Sequence, residues 1–116
     1  MWFGIDFDST GDAAMKIALA VTDQGENAEV SLHAARAPFY RVYNESGTCI
    51  DIIANPYCAV DHGAAPRAAQ FLQEHDIAML VAGEFGGRII AELEKRNIVI
   101  VQDTGPVSRV IEKIIA

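Results

Sequence analysis

Apolar and polar positions change period several times along the chain, and each change marks an element. Lys16–Thr22, KIALAVT, sets Ile17, Leu19 and Val21 on one side against Ala18 and Ala20 on the other. Apolar residues on both sides predict a central strand covered on both faces. The mostly polar stretch from Asp23 to Pro38 reads as a long loop. Phe39–Asn44 predicts a second strand. Asn44–Gly47 then predicts a tight turn with Gly47 free to take positive φ. Cys49–Ala54 predicts a third strand, antiparallel to the second.

From there the period lengthens. Ala65, Ala68, Ala69 and Leu72 recur at the spacing of one helix face. Pro66 fits the first turn, where its missing N–H costs nothing, so this helix starts at Gly63 or Ala64. His75 falls in its last turn and reads as structural. Ile77–Ala82 predicts a fourth strand and Gly83–Gly87 a turn into a second helix. In that helix Ile89, Ile90 and Leu93 face inward, Glu92 pairs with Arg96, and Asn97 marks the stop. Ile98–Val101 predicts a fifth strand. Gly105 and Pro106 open a third helix with Val107, Val110, Ile111 and Ile114 as its buried stripe.

The order βββαβαβα implies an α/β domain with parallel pairing and right-handed crossovers. Its simplest layout is a five-stranded mixed sheet in the order 3-2-1-4-5, with strand 2 antiparallel. Strands 1, 3, 4 and 5 then end on one edge, where open α/β sheets bind ligands. The Asn44–Gly47 turn falls on the opposite edge. Residues 1–14 differ in composition and read as an extension or leader before a domain over 15–116. The alternation of Phe3, Ile5 and Phe7 leaves a short added strand open.

Length and composition narrow the class. The 116 residues suit one domain, and a hydrophobic fraction of 51% marks a folded chain, not a disordered one. A net charge of −7 argues against general nucleic-acid or acidic-membrane binding. No apolar run has the length of a membrane span. Cys49 and Cys58 make a poor disulfide framework, and no basic leader precedes the domain, so a cytoplasmic location is expected.

Candidate chemistry gathers in the loops of that one edge. Asn55–His62 carries Cys58, Asp61 and His62, then meets a helix start at Gly63. Free N–H groups at a helix N-terminus attract anions, and thiol and imidazole are soft metal ligands. Cys58 and His62 are thus candidate metal ligands, although a half-buried thiol and a helix-capping imidazole explain them equally well. His33 and Arg36, in the long loop, offer a donor and a cation. Arg67 and Arg88 sit in first helical turns, against the macrodipole, where a bound anion would offset the penalty. Gly83, Gly86 and Gly87 permit close backbone approach to an anion but lack the P-loop Lys-Ser/Thr. Nuclease chemistry needs carboxylates around divalent metal, and the first strand has none at its centre. No nucleophile elbow supports a hydrolase.

Met15-Lys16-Ile17-Ala18, Ser31-Leu32-His33, Arg36-Ala37-Pro38-Phe39, Asn55-Pro56, His62-Gly63-Ala64 and the Gly83–Gly86 turn follow one another in a telling order. Together they resemble the dinitrogenase iron–molybdenum cofactor biosynthesis family, over Met15 to Ala116. The resemblance implies an RNase H-like α/β/α fold and small proteins that bind or carry metal–sulfur clusters. One branch, the orange-protein branch, holds a molybdenum–copper sulfide anion without being an enzyme, and no enzymatic activity is expected here. Two departures fall in the presumed site. His33-Ala34-Ala35-Arg36 stands where the family commonly has His-Phe-Gly-Arg, and Ala65 stands where it commonly has Gly.

The expected function is therefore a carrier for an anionic molybdenum–sulfur cluster, with iron or copper, in cofactor assembly or storage. Its expected partners are the cluster and cofactor-assembly or acceptor proteins. The competing expectation is a metal-free regulatory module that binds a small molecule or a protein on the same fold.

Overall fold

The computed structural model describes residues 15–116, and the expectation for residues 1–14 lies outside the described residues. The elements are β1 (Lys16–Val21), β2 (Phe39–Tyr43), β3 (Cys49–Ala54), α1 (Ala64–Glu74), β4 (Ile77–Ala82), α2 (Gly87–Lys95), β5 (Val99–Gln102) and α3 (Val107–Ile115). They form one five-stranded sheet in the order β3-β2-β1-β4-β5. β2 is antiparallel to β1 and β3, while β1, β4 and β5 run parallel. The order and the single reversed strand are those read from the sequence.

Two apolar layers explain the arrangement. Ala18 and Ala20 of β1 face α1 and α2, and their small side chains let Ala65 and Ala69 of α1 lie close over the sheet. Ile17, Leu19 and Val21 face the other way, into a second core closed by Val107, Val110 and Ile111 of α3. The result is a three-layer α/β/α, RNase H-like sandwich. Leu19, Leu72, Leu80 and Leu93 are fully buried, and each such leucine stabilises the fold by about 1.5–3 kcal/mol.

The small signals also hold. Gly47 takes φ 83° and Asn97 φ 59°, at the turn and the helix stop expected of them. Asp76, at φ 60°, ends α1 by the same left-handed device. Arg96 Nη1 donates to Glu92 Oε1 at 2.7 Å, and this bond holds the Glu92 carboxyl below its usual range. His75 packs on Phe71, with ring centres 4.5 Å apart and Nδ1 2.9 Å from the Phe71 carbonyl.

One segment differs from expectation. The stretch between β1 and β2 is not a solvated loop throughout. Ala28 and Val30 are buried on the α3 side, Val30 bridges to Val21, and Ser31 N–H donates to the Ala20 carbonyl at 2.7 Å. The chain then crosses to the turn after β4, where Gly83 and Glu84 N–H groups donate to the Ser31 and Leu32 carbonyls at 2.8 and 3.0 Å. Two apolar residues flanked by charge are too few to show an alternating pattern, but enough to be pulled into the core. This strand-like passage brings residues 31–36 over the carboxyl edge of the sheet.

Candidate ligand-binding site

That edge holds a cavity of about 380 Å³. Its walls come from three places: residues 32–36, the Asp61–Ala65 entry into α1, and the Glu84–Ile89 entry into α2. His33, Arg36, His62, Gly63, Gly86 and Arg88, all singled out from the sequence, line it together.

Each wall has a local cause. Gly63 takes φ 75° and ψ 24°, a left-handed conformation that glycine adopts without strain. It turns the 55–62 loop into α1 and leaves no side chain over the first turn. Gly86 starts α2 from extended backbone, and a Cβ at Gly86 or Gly87 would meet nothing within 4 Å. Neither helix has a side-chain cap or an acidic residue in its first turn. Both positive helix ends, each equivalent to roughly half an elementary charge, therefore abut the cavity with first-turn N–H groups available. His33 N–H is held by the buried Ser31 hydroxyl at 3.0 Å. Arg36 Nη1 donates to the Val60 carbonyl at 2.6 Å, tying one wall to the next and leaving its remaining N–H donors for a ligand.

The charges facing the cavity are mixed. Arg36 and Arg88 share it with Asp61 and Glu84. The ion pairs among the described residues, Glu92 with Lys95 and Arg96 and Asp103 with Lys113, all lie elsewhere. The four cavity charges thus stand around a common space without neutralising one another in contact.

Beneath the site lies a polar network that sequence reasoning missed. Tyr40 is fully buried and its hydroxyl donates to the Ala34 carbonyl at 2.6 Å. Burial, and secondarily the nearby Cys58, push its pKa well above the ordinary tyrosine value, so it stays a neutral donor. Asn55, also buried, donates through Nδ2 to the Ala35 and Ala37 carbonyls, both at 2.9 Å. The visible signal was Asn55 itself, a polar residue between an apolar strand and a proline.

Four sequence candidates do not line the cavity. Cys58 is half-buried in the turn that follows Asn55. Arg67 is exposed one turn into α1, beside Gly63. Gly83 is buried under Leu32, where a Cβ would stand 2.8 Å from Cδ2 and 3.1 Å from Cα. Its place is a packing requirement. Gly87 is exposed just outside the lining. Asp61, Glu84 and the half-exposed Leu32 are lining residues that the sequence reading did not select. Asp61 and Glu84 stand next to or near chosen positions, and that adjacency was the available signal. Among the described residues no three His, Cys, Asp or Glu side chains gather closely enough to hold a metal ion. No helix among them is long and apolar enough to cross a membrane.

The fold is a three-layer α/β sandwich with an open cavity at the strand carboxyl edge, lined in part by Arg36 and Arg88. The chain belongs to the dinitrogenase iron-molybdenum cofactor family, whose pattern matches residues 15–116. The order of short motifs in the sequence pointed to the same family. No curated protein matches the chain. Among solved structures, the apo form of the orange protein (ORP) from Desulfovibrio gigas superposes with a TM-score of 0.80 at 22% identity, over 87% of both chains. A NifB-like protein of the DUF35 family from Thermotoga superposes with a TM-score of 0.73 at 21% identity, over 86% of both chains. Likeness at these identities establishes the fold.

Proposed function

We propose that this protein is a non-enzymatic carrier that holds an anionic metal–sulfur cluster, molybdenum with iron or copper, for cofactor assembly or storage. The observation that carries the reading is the cavity at the carboxyl edge, where Arg36, Arg88 and two uncapped helix N-termini converge. Membership in a family named for the iron–molybdenum cofactor of dinitrogenase supports the choice of cargo.

A preformed cluster brings its own sulfide ligands, so the protein need not supply a closed set. Sulfide edges accept N–H bonds from the first turns of α1 and α2 and from the two guanidinium groups. Charge-assisted bonds of this kind contribute about 1.5–3 kcal/mol each. His62 is the side chain suited to bond a metal of the cluster directly. What favours it over Cys58 is that the imidazole lines the cavity and the thiol does not. Arg67 adds positive charge from just outside, and Gly63, Gly86 and Gly87 keep the backbone accessible. Such a carrier works in the cytoplasm and passes its cargo to cofactor-assembly or acceptor proteins.

The test is a titration with tetrathiomolybdate, with and without copper, followed by amide NMR. Saturable shifts are expected in residues 32–36, 61–65 and 84–88. Arg36→Gln and Arg88→Gln should each weaken binding about ten-fold, more at low salt, and Cys58→Ser should leave it unchanged. Shifts centred on Asn44–Gly47, or none that saturate, would sink the reading. Molybdenum, iron or copper in protein isolated without oxygen separates the carrier from a metal-free regulatory module.

A further inference from the structure

We infer that Tyr40 and Asn55 are positioning residues that lock two walls of the cavity into one unit, so that ligand affinity depends on a buried hydroxyl that never touches the ligand. The inference rests on the carrier reading for its ligand and on the structure alone for the coupling of the walls.

Residues 34–37 belong to no strand or helix, so no ladder holds them. Three of their carbonyls are held from below instead: Ala34 by the Tyr40 hydroxyl, Ala35 and Ala37 by Asn55 Nδ2. Asn55 Nδ2 also reaches the Tyr40 oxygen at 3.3 Å, making the two side chains one network. The same asparagine shapes the second wall. Its N–H donates to the Pro38 carbonyl at 3.0 Å, and its Oδ1 accepts the Tyr57 N–H at 3.0 Å, which fixes the turn leading to Val60. Above, at the solvent side, Arg36 reaches the Val60 carbonyl. The two loops are thus tied twice, by a buried clasp and an exposed one.

The buried clasp dominates. Tyr40 and Asn55 are 0% and 3% exposed, and buried carbonyls left without donors are costly. Arg36 is exposed and competes with water. At its other end the first wall is pinned by the Ser31 and Leu32 carbonyls to Gly83 and Glu84, in the turn after β4. With His33 fixed at that end by the Ser31 hydroxyl and its bridge to Glu84, the distance of Arg36 from Arg88, across the cavity, is set by where Tyr40 and Asn55 hold residues 34–37.

Tyr40→Phe keeps the ring and removes the oxygen. In the full chain, amide hydrogen exchange should quicken roughly five-fold in residues 33–37 and 57–62 together, with sheet amides unchanged. Affinity for tetrathiomolybdate, measured where circular dichroism shows the variant folded, should fall by a similar factor. The salt dependence of binding should keep its slope, because no charge has changed, whereas Arg88→Gln should flatten it. Wild-type exchange in either loop overturns the coupling. Faster exchange with wild-type affinity overturns the positioning role and leaves the network merely structural. If the wild-type chain binds no tetrathiomolybdate, the carrier reading fails, and the exchange measurement still decides whether the walls are coupled.

Discussion

Asp61 and Glu84 face the same cavity as Arg36 and Arg88, which is at first sight a poor way to hold an anion. Each carboxylate repels a negative ligand across the space, and exposure to water reduces that repulsion without abolishing it. In the proposed carrier role the protein must also let go, and carboxylates that offset the guanidinium charges would keep the affinity within reach of an acceptor. The double substitution Asp61→Asn with Glu84→Gln is expected to tighten binding of tetrathiomolybdate by about three- to ten-fold at low salt, and less at physiological salt. Isothermal titration at the two salt levels checks both the sign and the trend, and weaker binding would show the carboxylates to be ligand contacts. At this scale the sequence displayed its cations and imidazoles plainly as residue types, and the structure brings His33, Arg36, His62 and Arg88 to one cavity. It did not display Tyr40 and Asn55 as site residues. Their role lies in bonds to carbonyls of Ala34, Ala35 and Ala37, and a hydrogen bond to a distant main chain leaves no periodicity to read.

At the scale of elements, strands and helices were legible because each buries a face, and burial imposes a period of two or 3.6. The passage over residues 28–33 was not. It makes isolated bridges to Val21, Pro106 and Glu84 in place of a ladder, so its apolar residues never accumulate into a pattern. That passage nevertheless builds the cavity's first wall, and Gly83 of the turn after β4 makes room for it. A methyl group at Gly83 would stand 3.1 Å from the Leu32 Cα and 3.2 Å from the Thr104 Cγ2. The Leu32 side chain, 53% exposed, can swing aside, but its backbone must shift. Gly83→Ala is expected to lower stability in urea by about 1–2 kcal/mol and to move the His33 amide resonance. An unchanged unfolding midpoint with an unchanged His33 signal would mean that the wall yields freely, and that Gly83 plays no part in placing it.

At the scale of the whole molecule, the proposed anion site belongs to an acidic chain. The net charge is −7, and the cations that favour the ligand are confined to one edge of the sheet. The two fields have different ranges. Repulsion by the summed charge acts from afar and is cut off beyond a Debye length, about 30 Å at 0.01 M salt and about 8 Å at 0.15 M. Attraction by Arg36, Arg88 and the two helix ends acts at contact, where screening is weaker. Salt should therefore help the ligand arrive and also help it leave. Stopped-flow measurements with tetrathiomolybdate are expected to show the association rate rising by several-fold between 0.01 and 0.15 M salt, as long-range repulsion is removed. The dissociation rate should rise over the same range, because the contacts that retain the anion are charge-assisted. In Arg36→Gln with Arg88→Gln the rise in association should persist, since the repulsion comes from the rest of the molecule, while dissociation becomes fast at every salt concentration. An association rate that falls with salt in the unsubstituted protein would mean that the local cations steer the ligand from a distance. The acidic balance of the chain would then have no part in how the anion is met.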